Sequence, residues 1–250
     1  MIMDDQSRPN RGERGSRPIR EGRFGARDDM PRGPPRYTPR KKPQRPVKRR
    51  EKTHFDVKLF GRWDSNVLVN DPSLKSYINL EPKMLPRSAG IHRGRFHKSK
   101  MHVVERLALK MSVSGHTGKK HKLTSGKFGG NYTTILKVVE KALGIIEKKE
   151  NKNPIEILVK AIENSALREE VISFQMGSIM AREAVITAPQ RRVDKSLRFF
   201  AQSAYRRSFN KHKGLAEALA DELMAAAKNS QDSFAIKEKE RMEREATGAR

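Results

Sequence analysis

From residue 98 onward, apolar residues return at steps of three and four, the period of helices with one buried face. Between Asn131 and Glu147 they are Ile135, Val138, Val139, Ala142, Ile145 and Ile146. "NPIE" opens another helix: Asn153 is a good N-cap, Pro154 suits the first helical position, and Ile155, Leu158, Val159 and Ile162 form the inner face. "KSKMHVVERLALKM" predicts a helix from Lys98 that buries Met101, Val104, Leu107, Leu109 and Met111. A helix begins near Pro189, another over Leu215 to Lys228 buries Leu215, Leu219, Leu223 and Ala226, and a highly charged surface helix runs from Ser233 to about Ala246. One interval breaks the rhythm. "EEVISFQMGSIMAREAVIT", residues 169–187, is β-branched and aromatic around Gly177-Ser178, which reads as a two-stranded β-hairpin. Residues 53–97 show no sustained period and read as irregular structure wrapped over the core. The expectation is a mainly α fold, a bundle of about six helices in a single domain over 53–250.

Composition changes the picture at the amino-terminal end. Residues 1–52 hold eight of the 13 prolines and almost no aliphatic residues, too little apolar surface to offset the entropy of ordering. They read as a disordered basic arm, with 17 Lys and Arg against 7 Asp and Glu. The whole chain has a formal charge of +25 over 250 residues, which self-repels unless a polyanion neutralises it. Nucleic acid is the leading partner. A membrane is not expected, because no apolar run approaches the roughly 20 residues of a span and no lipidation signal is present. The absence of cysteine excludes disulfides and thiolate sites, and with early Asp4 and Asp5 it fits a cytoplasmic setting.

The candidate chemistry is basic. On the helix starting near Pro189, Arg191, Lys195, Arg198, Gln202 and Arg206 fall in a stripe about 80 degrees wide, opposite Val193, Leu197, Phe200, Ala201 and Ala204. Residues 188–213 contain eight Lys or Arg and the single acid Asp194, so ion pairs within the helix do not explain the row. The position is also unusual, since Arg191 and Arg192 stand at the positive end of the helix dipole. A second cluster, residues 91–127, has ten Lys or Arg against one Glu. It offers Arg93, Arg95, Lys98 and Lys100, then the glycine-flanked loop with Gly118, Lys119, Lys120 and Lys122, whose unhindered backbone can approach phosphates. The loop does not match a nucleotide-binding P-loop. His92, His97 and His102 are spaced by five, as are His116 and His121, a spacing that turns them to different helix faces, so no metal is expected. No catalytic constellation, cofactor or small-molecule substrate is indicated. Three readings remain on the residues alone: a structural RNA binder, a free-standing DNA-binding or nucleic-acid chaperone protein, and an RNA-modifying enzyme, for which no cofactor pocket is located.

Several stretches decide between them. "LFGRWD", "DPSLKSYINLEP", "VVERL", "TGKKH", "NPIEILVKAIENSALREEV", "PQRRVD", "LAEALADEL" and "SFAIKEKERMER" resemble, in the family's order, the small-subunit ribosomal protein S seven family in its archaeal and eukaryotic cytosolic form. The resemblance implies a helical domain with a protruding β-ribbon between the third and fourth core helices. It also implies a ribosomal role without catalysis. The protein would bind the 3′ major domain of small-subunit ribosomal RNA, nucleate assembly of the head, pack beside neighbouring small-subunit proteins, and lie near the exit-site transfer RNA and the messenger path. Its RNA-contacting positions correspond to Gly118, Lys119, Lys120, Arg191 and Arg192. Three departures stand out. The ribbon has lost the arginines usual at its turn, leaving Arg182 as its RNA contact; "KLTSGKFGGNY" is inserted before the following helix; and Ala188 replaces a capping serine, with Thr187 as the substitute cap.

Overall fold

The computed structural model describes residues 57–113 and 129–250. The amino-terminal arm and the loop carrying Gly118, Lys119, Lys120 and Lys122 lie outside the described residues. Within them the chain forms α1 (Pro72–Lys75), a 3-10 turn (His97–Lys100), α2 (Val103–Met111), α3 (Tyr132–Glu150) and α4 (Pro154–Ser165). An antiparallel pair follows, β1 (Glu169–Met176) and β2 (Ile179–Ile186), and then α5 (Pro189–Ser208), α6 (Leu215–Ala227) and α7 (Phe234–Thr247). This is a mainly helical fold with a hairpin between the third and fourth long helices. The seventh helix, beyond the six expected, is the four-residue α1, nucleated where the side chain of Asp71 accepts from the Ser73 N–H.

Each long helix is specified by an apolar stripe and a local stop. Asn131 caps α3 by accepting from the Thr134 N–H, and Asn151 ends it in the left-handed conformation, φ 52°. In α4 the Asn153 carboxamide accepts from the Ile155 N–H at 3.0 Å and donates to the Asp64 carbonyl at 2.8 Å. The same cap therefore pins the wrapping segment. The inner faces of α3, α4 and α6 bury Val139, Ala142, Ile155, Leu158, Ile162, Leu219 and Leu223 completely. Trp63 closes the core from the wrapping segment, where Phe60 and Gly61 turn at positive φ so that Leu59 and Trp63 can pair.

Two burial expectations fail for identifiable reasons. In α2, Leu109 is exposed, and Val103 and Ala108 are buried instead. The inward stripe is 104, 107, 108 and 111, and position 109 is rotated away from it. In α5, Gln202 is buried and not on the solvent stripe. At this end α5 is enclosed by neighbours: Ser203 donates to Glu222 of α6 at 2.6 Å, and Phe199 meets Phe234 of α7 edge to face. Glu222, fully buried, also accepts from Ser233 and the Ala235 N–H and pairs with Arg207 at 3.1 Å. One carboxylate thus ties α5, α6 and α7 together. The charged α7 still buries Ala235 and Ile236.

The hairpin turns at Gly177, φ 62°, with Ser173 opposite Arg182 and Phe174 opposite Ala181. From Ile172 outward it is mostly solvent-exposed, Met176, Ile179 and Met180 included. Its base is anchored by Glu169 pairing with Arg250 and by the Thr187 N–H donating to the Arg168 carbonyl at 2.9 Å.

Candidate nucleic-acid interface

The amino-terminal half of α5 gathers charge from three distant parts of the chain. Asp194 accepts from Lys98 of the 3-10 turn at 2.5 Å and from Arg106 of α2 at 3.3 Å. Arg106 is fully buried and also donates to the Tyr77 carbonyl at 2.6 Å. Burial opposes ionisation of Asp194, but the Lys98 hydrogen bond and the charges of Lys110, Arg106 and Lys98 outweigh it and hold the carboxyl below its usual range. Beside this knot Lys110, Arg191, Lys195 and Arg198 line a groove of about 370 Å³ together with Ala188, Gln190 and Asp194. Burial holds Lys110 below the usual lysine range, assisted by Lys98, Arg198 and Arg106 and opposed by Asp194. A groove with four cations at the amino-terminal end of a helix suits phosphate.

Arg191 and Arg192 are answered from inside the protein. Arg191 contacts both oxygens of the buried Glu170 on β1, at 2.5 and 2.9 Å, and Lys195 lies 3.8 Å from the same carboxylate. Hydrogen bonding to Glu170 raises the Arg191 pKa against the opposing effect of burial. Arg192 turns to the other side of α5. It donates to the Leu167 carbonyl at 2.9 Å, the Ser73 hydroxyl at 2.5 Å and the Asp71 carboxylate at 3.2 Å, and its side chain is 13% exposed. The cations at the helix start are therefore matched to acids on other elements. Intrahelical pairing is indeed not the explanation, but pairing between elements is.

Thr187 does not cap α5. The cap position is Ala188, which has no side-chain hydrogen bond, and the Thr187 hydroxyl is buried with no partner among the described residues. Its backbone closes the hairpin base, which holds it one residue too early. The remaining expected residues divide. Arg93 and Arg95 are exposed on the segment leading into the 3-10 turn, and Lys100 is exposed at its end. Arg206 is exposed but separated from the groove by the buried Gln202, and its guanidinium lies 4.5 Å from the Phe234 ring. Arg182 is exposed out along β2, away from the base of the ribbon.

The family model described as Ribosomal protein S7p/S5e matches residues 74–250. The chain belongs to that family. Archaeal relatives agree along nearly their whole length. "Small ribosomal subunit protein uS7" of Nanoarchaeum equitans is 44% identical over 196 residues, 78% of this chain and 99% of the relative. The proteins of the same name from Methanococcus vannielii and Archaeoglobus fulgidus are each 43% identical, and 97% of each relative is covered. The family match includes every element that builds the basic groove, from the 3-10 turn to α5.

Two features of the S7p/S5e chain escaped the sequence reading. Lys110 shares the groove, and the signal was its i, i+4 spacing from Arg106. Glu170 clamps the hairpin base to α5; nothing local to the ribbon marks it, since its partners lie 21 and 25 residues away. Both acids at the start of the ribbon are thus engaged, Glu169 by Arg250 and Glu170 by Arg191 and Lys195.

Proposed function

We propose that this chain is a structural, non-catalytic component of the small ribosomal subunit in the cytoplasm. It binds the 3′ major domain of small-subunit ribosomal RNA, nucleates head assembly, packs against neighbouring ribosomal proteins and lies beside the exit-site transfer RNA and the messenger path. The family and the name its relatives share support the ribosomal setting. One observation carries the RNA-binding reading: cations distant in sequence meet at α5, where Lys98 pairs with Asp194 at the groove of Lys110, Arg191, Lys195 and Arg198, and Arg93, Arg95 and Lys100 are exposed within five residues of Lys98. The mechanism is electrostatic, with phosphates displacing counterions as they meet these cations. RNA shape sets specificity, because A-form grooves present phosphates and 2′-hydroxyls more than readable base edges. The loop residues Gly118, Lys119, Lys120 and Lys122 and the arm of residues 1–52 extend the contact. Arg192 serves the fold, while Arg182 and Arg206 are peripheral contacts.

The test is binding of the full chain to a 3′ major domain fragment across a salt series, with duplex DNA as competitor. Lys195→Ala with Arg198→Ala is expected to flatten the slope of log K against log salt by up to about 0.9 per lost phosphate contact. An unchanged slope rejects the groove as a phosphate site, and equal affinity for duplex DNA favours the free-standing DNA-binding reading. Removing residues 1–52 should lower affinity and leave cooperative unfolding intact; loss of cooperativity would show that the arm belongs to the fold.

A further inference from the structure

Just ahead of the 3-10 turn the chain reverses on a hydrogen bond from the His97 N–H to the Gly94 carbonyl, 3.1 Å. Phe96 occupies the third position of this turn at φ 64°, ψ −2°. Those are the angles that a type II turn asks of glycine or asparagine. A bulky residue in the left-handed region is a strained choice, and such strain persists where the surroundings enforce it. Around the turn the His97 ring lies 2.8 Å from where a Cβ on Gly94 would stand, the Arg93 guanidinium equally close to where one on Gly90 would stand, and the Ser99 hydroxyl donates to the Phe96 carbonyl.

Burial does not repay the strain, because the Phe96 ring is 68% exposed. The turn presents that ring to solvent. Arg95 holds its guanidinium 5.1 Å from the ring centroid, and Arg93, Lys98 and Lys100 lie within four residues of it. A flat ring displayed among cations is complementary to a nucleotide, whose base stacks while its phosphate is neutralised. The base must be unpaired, since a base within a duplex has both faces covered. An apolar protein partner is disfavoured, as it would leave this local excess of cations unanswered.

We propose that Phe96 is a stacking platform for an unpaired nucleobase of the RNA that meets these cations. This rests on the RNA-binding reading above. The experiment uses the full chain and the 3′ major domain fragment. Phe96→Asn removes the ring and keeps a residue that tolerates left-handed backbone, so its melting temperature should equal or exceed the parent's. Its affinity should fall roughly tenfold or more, with the salt slope unchanged because no phosphate contact is lost. Phe96→Trp should bind like the parent, with its added indole emission quenched by RNA. Three results overturn the proposal in distinguishable ways. Parent-like affinity of Phe96→Asn rejects stacking and leaves the RNA reading standing. Failure of the parent to bind the fragment rejects the RNA reading itself. Normal RNA affinity of Phe96→Asn with loss of the variant from reconstituted subunits assigns the ring to a protein neighbour.

Discussion

The basic stretches at 91–100 and 188–198 look alike in the sequence, and the fold treats them differently. At the start of α5, Arg191 and Lys195 share Glu170, and Arg192 is held by Asp71, Ser73 and the Leu167 carbonyl. In the upstream stretch Lys98 is paired with Asp194, whereas Arg93, Arg95 and Lys100 take no part in the ion pairs among the described residues. Arg198 stands with this second group, exposed at the rim of the groove. Cations of the first kind hold elements in place and also shape a surface. Those of the second kind retain their full charge for a ligand. A row of arginines in a sequence thus gives an upper limit to the charge available for binding, and carboxylates far away in the chain decide how much of it remains.

Asp194 joins the two regions, so its removal should have the largest effect. Asp194→Asn leaves Arg106 buried without its counter-charge, and a loss of about 3 kcal/mol is expected by urea unfolding. A loss below about 1 kcal/mol would mean that the Tyr77 carbonyl suffices for Arg106. Since Asp194 is held below the usual carboxylate range, its stabilisation is present above pH 3.8 and fades as the pH falls further.

His102 begins the helix that carries Arg106 and Lys110 towards α5. Its ring nitrogen accepts from the Val104 N–H, and burial, with a smaller effect of Lys83 that outweighs Glu81, lowers its pKa from 6.5 to about 4. The unfolded chain takes up this proton first. Stability should therefore decline as the pH falls from about 6.5 to about 4, by about 3 kcal/mol in total. His102→Asn keeps a capping acceptor and should flatten this part of the curve; an unaltered decline would assign it to other groups.

Glu170→Gln tests the comparison directly. It releases Arg191 and Lys195, and because Arg191 is more than half exposed the cost should be only about 1 kcal/mol. The salt dependence of RNA binding should become steeper, as Arg191 and Lys195 no longer divide their charge between Glu170 and phosphate. A slope that stays the same would show that both cations already reach the RNA while bound to Glu170. At the other end of the scale, Arg93→Ala with Lys100→Ala should change stability by no more than about 0.5 kcal/mol. The same pair should still flatten the salt slope by up to about 0.9 per contact. A large stability loss would place these residues with the structural cations.

Much of the architecture was legible residue by residue. Asn153-Pro154 marked the start of α4, Gly177-Ser178 marked the hairpin turn, and the apolar steps of α3, α4 and α6 identified their buried faces. Periodicity misled at Leu109 and Gln202, where the width of the buried face depends on which helices enclose it. The interface was legible as to residue type and only partly as to role. Composition marked Arg192 as a cation, and its three internal partners were beyond reach because Asp71 and Ser73 lie 121 and 119 residues away.

By itself the sequence determined the helical class, the hairpin, the strong positive charge and the family, because apolar periods, caps and turn residues act over a few neighbours. Only the tertiary structure decided which cations are matched, that Lys110 joins the groove, and that Phe96 is turned outward at a strained position. The physical reason is range. Electrostatic pairing and burial depend on distance in space, and the acids that answer α5 come from α1 and β1, elements on which the local sequence around Arg191 is silent.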